Sequence, residues 1–253
     1  MSNIILACSS LTEYVNAAQK KMNTNWPVIL VDRALHVEPA DMKAAIKEKI
    51  SQLFSSPAEP DAPDSPNAPD APASPNAPNA PAALDPADTT ILVAMGFCGG
   101  TWDHVSFPCR VVIPRVHDCI SMLLTTDDAY QPNRKELGHL YLYESDPKDF
   151  SALHLIRDGG TADPSYRGMS QADLFRYWFT GYHAMDIIDT GLNPCYEVPY
   201  VEAAQKEADV INADLGYAQG SNLILEKLVS GRWDAQFLVL EPGRTAIHGD
   251  FFE

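Results

Sequence analysis

The chain has 253 residues, 45% of them apolar, and carries a net charge of −16. That is enough apolar chain to bury a full core, and no run of about eighteen apolar residues exists to form a membrane-spanning helix. The acidity excludes a nucleic-acid binder, which needs a basic surface against phosphates. Five cysteines without regular spacing, in a chain too long to need disulfide staples, point to free or metal-bound thiols in a reducing, cytoplasmic compartment.

The first segment, Ile4-Ile5-Leu6-Ala7-Cys8, lacks a basic flank and reads as a buried strand over 3–8, not a signal peptide. Ser10-Leu11-Thr12-Glu13 has the form of a capping box, and Leu11, Tyr14, Val15, Ala18 and Met22 continue it at helical spacing. A strand at 27–31 follows, and then a helix opened by Pro39 and Asp41 with Met42, Ile46, Ile50 and Leu53 inward. Proline then recurs at every third position from Pro57 to Pro81, among Ala, Asp, Asn and Ser. Such a segment shares one edge of a solvated polyproline II rod and has almost nothing to bury, so 57–88 is expected to be a disordered insert in a single α/β domain.

Beyond it, Thr90 to Met95 is an uninterrupted apolar run, as in a strand covered on both faces. Arg110-Val111-Val112-Ile113 is the next strand, with a helix starting near His117 or Asp118. The second half reads as strands at 140–143 and 237–240 and helices at 171–186, 198–213 and 220–230. Alternation of strands and helices predicts a doubly wound, mostly parallel α/β sheet with helices on both faces. It is Rossmann-like without a dinucleotide motif, since no G-x-G-x-x-G occurs. One large sheet and two lobes both fit the second half.

Ligands of open parallel sheets bind beyond the carboxyl ends of the strands. Cys8 ends the first strand, Cys98 follows the third, and His117 with Cys119 follows the fourth, so parallel strands would gather them at one edge. Thiolates and an imidazole in a tetrahedral set suit zinc, with iron the next candidate. Helix starts beside the cysteines are expected to favour thiolate. Gly96, Gly99 and Gly100 permit the close backbone approach that a bound group needs and are candidate cofactor-binding residues, and Arg115 in the next loop is a candidate contact for an anionic substrate. Against this, a cysteine ending a buried strand can simply pack. Cys109 lies at the opposite strand end and Cys195 in a turn, so both read as structural. No motif supports a bound corrinoid, a P-loop or a nucleophile elbow.

Gly96-Phe97-Cys98-Gly99 and Ile113-Pro114-Arg115-Val116-His117-Asp118-Cys119-Ile120 resemble the Domain of Unknown Function 1638 family. So do Ala7-Cys8, Gly220-Ser221 and the tail Gly231-Arg232-Trp233-Asp234 with Phe237 to Gly243. The family is similar in setting to proteins encoded beside corrinoid-dependent methyltransferases. The resemblance therefore implies methyl or one-carbon metabolism, with a small-molecule substrate or a corrinoid methyltransferase protein as partner. Three readings follow: a metal-dependent enzyme on Cys8, Cys98, His117 and Cys119; a non-catalytic accessory with a closed metal; and a thiol redox protein.

Overall fold

The computed structural model describes residues 2–55, 84–150, 166 and 168–252. The periodic prolines lie outside the described residues, but the last five residues of the expected insert do not. Leu84 donates its amide to the Leu53 carbonyl at 3.1 Å, and Asp85 caps a 3-10 turn at Pro86–Asp88 by accepting from Ala87 at 2.9 Å. The insert boundary therefore falls before residue 84, because a local cap satisfies the backbone there.

The larger sheet is built from β1 (Ser2–Cys8), β2 (Val28–Val31), β3 (Thr89–Ala94), β5 (Arg110–Pro114) and β11 (Phe237–Leu240). A short strand β4 (Val105–Ser106) precedes β5. The order across the sheet is β11-β5-β3-β1-β2, all parallel except β11, which runs against β5. The central strand β3 carries the run expected to be covered on both faces, and every residue of it is buried, while β1 is the expected buried first strand. Edge strand β2 is only half-buried, with Leu30 41% exposed. The chain leaves β1 for β2 on one side and then returns to β3 on the other. That reversal opens a crevice between the carboxyl ends of β1 and β3.

Helix α1 (Thr12–Met22) packs on the last helix, while α2 (Pro39–Phe54) lies against β2 and the 98–100 turn. The expected capping box does not form. Ser9–Leu11 makes a 3-10 turn instead, and the Ser10 hydroxyl turns to the Cys8 sulfur at 3.1 Å. The short helix α3 (Cys119–Leu123) is capped by Asp118, whose carboxylate accepts from the Ser121 amide at 2.7 Å.

A hairpin of β6 (Thr125–Thr126) and β7 (Ala129–Tyr130) leads to a second sheet. Its strands β8 (His139–Leu142), β9 (Ala184–Asp189) and β10 (Asp214–Gln219) are parallel, in the order β10-β9-β8. The expected helix over 171–186 is corrected here: α4 covers Gln171–Trp178 only, and β9 begins at Ala184. The aromatic spacing of Phe175, Trp178, Phe179 and Tyr182 mimics a longer helix. Gly181 at φ +91° breaks it, and Ile187-Ile188 prefer a strand. Helices α5 (Val198–Ile211) and α6 (Leu223–Ser230) complete the fold, followed by β12 (Thr245–Ala246), which pairs with β4.

Each sheet has a core. Leu140, Leu142, Met185 and Ile187 face one way into a small core with α4 and α5, whereas Tyr141, Tyr143, Ile188 and Ala218 face the other way and join the larger core. The second sheet therefore closes over the first. No described helix is long and apolar enough to cross a membrane.

Candidate functional site

The loops after β3 and β5 are strapped together by their backbones. The amides of Phe97 and Cys98 donate to the carbonyls of Val116 and His117, both at 2.8 Å. This approach needs glycine at 96, since a Cβ there would sit 2.5 Å from the Asp118 Cα. The buried Trp102 fixes the loop from below by donating its indole N–H to the Gly96 carbonyl at 2.7 Å. Past the strap, the backbone turns left-handed at three residues in succession: Cys98 at φ +47°, Gly99 at +70° and Gly100 at +96°. Glycine tolerates this, but at Cys98 it costs about 1 kcal/mol. The fold thus holds a strained cysteine where a glycine would fit more easily.

That strain places Cys98 beside Cys119, and Cys119 beside Cys8. The Cys119 side chain lies beside both of the others, so the thiols form a row across the ends of β1, β3 and β5. All three are buried. The neighbouring Cys119 thiol, and then burial, push the Cys8 thiol far above its ordinary value. The Cys8 neighbour favours ionisation of Cys119, but Cys98, burial and the nearby Asp118 outweigh it, and Cys119 too is pushed well up. The expectation that helix starts would favour thiolates is corrected for these two: desolvation and thiol–thiol coupling exceed whatever dipole the five-residue α3 offers.

Residues from distant segments line this row. Tyr143, just past β8, is fully enclosed and held well above the usual phenol range by burial, by Glu144 and by the thiols, and it lies near Ser10, which bonds to Cys8. His36, in the 3-10 turn Arg33–Val37, lies near Cys8 and Asp118. Burial first, and then Lys135, lower its pKa and keep it neutral at physiological pH. Neither residue was singled out from sequence. His36 sits in a turn without a motif, and Tyr143 reaches the site only because the second sheet folds over the first. Ser10 was legible, but as a cap.

The other expected site residues lie around the row. The His117 ring is exposed and stacks on Phe252, with centroids 4.0 Å apart and planes 5° from parallel. Arg115 donates its amide to the Gln236 carbonyl at 2.8 Å, and its own carbonyl faces the Tyr130 hydroxyl. The buried Nε of Arg115 has no hydrogen-bond partner among the described residues. Gly99 approaches Pro39 of α2, and Gly100 the Phe97 ring. Cys109 is buried at the far end of β5, where desolvation pushes its thiol up to about 11, and Cys195 is buried by the second sheet. As the side chains stand, no group of three or more described His, Cys, Asp and Glu residues is arranged to hold a metal ion.

No curated protein matches the chain. No solved structure matches it either. One family model matches residues 30–229, a span that includes Cys98, His117 and Cys119 but begins after Cys8. With most of its length so matched, the chain belongs to the family described as protein of unknown function DUF1638.

Proposed function

We propose that Cys8, Cys98 and Cys119 form a thiolate site for a soft metal ion, zinc first and iron next. The host is an enzyme of methyl or one-carbon metabolism linked to corrinoid-dependent methyl transfer. One observation carries the metal: three buried thiols meet in one row, two of them strongly disfavoured from ionising by burial and by each other. A soft cation relieves both costs at once, because it replaces the thiol protons and neutralises the charges left behind. Burial argues the other way for a freely reacting nucleophile, which needs an exposed, low-pKa thiol.

The donor chemistry fits a soft ion, while the present spacing does not, so binding must draw the three sulfurs together. When bound, zinc would supply Lewis-acid chemistry, holding a substrate thiol or oxygen as its anion. The chain's own residues then have separable tasks. Ser10 and Tyr143 orient Cys8, and the strap through Gly96 sets the distance between Cys98 and Cys119. His117 would join as a fourth ligand by leaving its stack on Phe252, and the unpartnered Arg115 Nε would receive an anionic substrate group. Gly99 and Gly100 let the loop backbone approach whatever is bound. The methyl-group assignment rests on the setting that the family resembles, and the partner is a small substrate or a corrinoid methyltransferase protein. The strand order supports a doubly wound sheet with its site at the switch point, and the free state of all five cysteines supports a reducing, cytoplasmic setting.

A second reading has one observation in its favour: Cys119 and Cys8 are neighbouring buried thiols, from which a disulfide could form. The two separate on anaerobic purification without chelator, followed by metal analysis and thiol counting. The metal site predicts about one ion per chain, absent from Cys98→Ser and Cys119→Ser. A metal-free wild type that loses two thiols to a disulfide oxidant would instead establish the redox pair.

A further inference from the structure

The second sheet carries a polar cavity unrelated to the thiol row. Tyr141 of β8, Asp186 of β9 and Gly216 of β10 stand abreast in register on the face turned toward the larger sheet. The cavity above them holds about 210 Å³ and is also lined by Arg134, Gln131, Tyr217 and Gln219. At its floor His139 Nδ1 donates to Asp186 Oδ2 at 2.6 Å, and both side chains are about 15% exposed. An ionised carboxylate accepts only, so this bond fixes the imidazole tautomer and the carboxylate plane together.

The sequence keeps space for the other oxygen. A Cβ on Gly216 would lie 2.4 Å from Asp186 Oδ1, so any larger residue would displace the carboxylate. That oxygen has no hydrogen-bond partner among the described residues. The uncharged polar groups of the lining are each engaged in part. The Tyr141 hydroxyl accepts from the Arg134 amide at 2.9 Å, and the Tyr217 hydroxyl donates to the Cys195 carbonyl at 3.1 Å. The side-chain amide nitrogens of Gln131 and Gln219 donate to Thr126 and to the Asp189 carbonyl. The charged groups of the lining are the Asp186 carboxylate and the exposed Arg134 guanidinium. They share one cavity, yet Arg134 makes no ion pair with Asp186 or any other described residue.

We infer that this cavity binds a small zwitterion of amino-acid size, its ammonium on Asp186 and its carboxylate on Arg134. A carboxylate with its Oδ1 open and a guanidinium with no ion pair among the described residues, across a space this small, are complementary to a ligand carrying both charges. Single-charge ligands would leave one of them unanswered. His139 is a positioning residue that holds the carboxylate toward the cavity.

The test is calorimetric titration of the full chain with glycine, alanine and β-alanine, with acetate and ethylammonium as single-charge controls at matched ionic strength. For a ligand of about six heavy atoms, a dissociation constant on the order of 0.1–1 mM is expected for the best zwitterion. Binding of the controls should be at least about tenfold weaker. Asp186→Asn and Arg134→Gln should each weaken zwitterion binding by a similar factor. Arg134 is exposed, so its variant folds even if Asp186→Asn does not, and Cys119→Ser should leave this affinity unchanged. Absence of zwitterion binding, equal binding of the controls, or wild-type affinity in Arg134→Gln would each overturn the proposal.

Discussion

The two crevices of this molecule are built from opposite materials. The one at the ends of β1, β3 and β5 is apolar and closed, and its working atoms are buried thiols, two of which, Cys8 and Cys119, are disfavoured from ionising. The one on the second sheet is open and polar, and its working atoms are a carboxylate and a guanidinium. The closed crevice is made tight by backbone against backbone, at Gly96 and Asp118; the open one is kept roomy by backbone against a side chain, at Gly216 and Asp186. A closed site thus stores its specificity in loop geometry and has little tolerance, whereas the open site stores it in side chains that can turn away.

Gly96→Ala should have the largest effect. Its Cβ meets the backbone of Asp118 at 2.5–2.7 Å, which can yield only by breaking the strap, and we expect a loss of about 3 kcal/mol or more in chemical denaturation. A loss under about 1 kcal/mol would show that the loops are looser than the geometry requires.

Alkaline pH should weaken the closed crevice. The folded-state values of Cys8 and Cys119 lie above the ordinary value of 9.0, so their contribution is complete below about pH 9 and is lost as pH rises beyond it. Unfolding experiments on metal-free protein should show stability falling by up to about 1.4 kcal/mol per pH unit for each thiol. Cys8→Ala should lessen that slope. An identical slope in the variant would remove thiol coupling as its cause.

Gly216→Ala should cost less, about 1–2 kcal/mol, because the Asp186 carboxylate can rotate; the His139 bond would be lost with it. An imidazole titration by NMR would follow that loss directly, and unchanged His139 signals would refute it. The smallest effect concerns strain at Cys98. Cys98→Gly should be more stable than Cys98→Ala by about 1 kcal/mol, since only glycine accepts φ +47° freely. The reverse order would mean that the left-handed turn is not strained.

The sequence disclosed the two sites unequally. Cys8, Cys98 and Cys119 were legible because each ends a strand of recognisable pattern and parallel pairing does the rest. His36 and Tyr143 were not, since a turn histidine and a tyrosine past a strand carry no local sign of what will face them. The second sheet was largely hidden. Gly181 and the Ala184–Asp189 strand were obscured by an aromatic pattern of helical period, and β10 reads as mixed because its Gly216 serves a neighbouring carboxylate. Without the registers of β8, β9 and β10, nothing joins His139 to Asp186 across 47 residues.

Metal stoichiometry, measured with melting temperature on anaerobically purified wild type, Cys98→Ser and Cys119→Ser, tests the central claim most directly. We expect about one zinc or iron per chain in the wild type, lost in both variants, with only a modest fall in melting temperature because the large core does not depend on the ion. A fall of many degrees with the metal would make the ion structural and favour the accessory reading. A wild type that holds no metal and forms a Cys8–Cys119 disulfide would contradict the metal site outright.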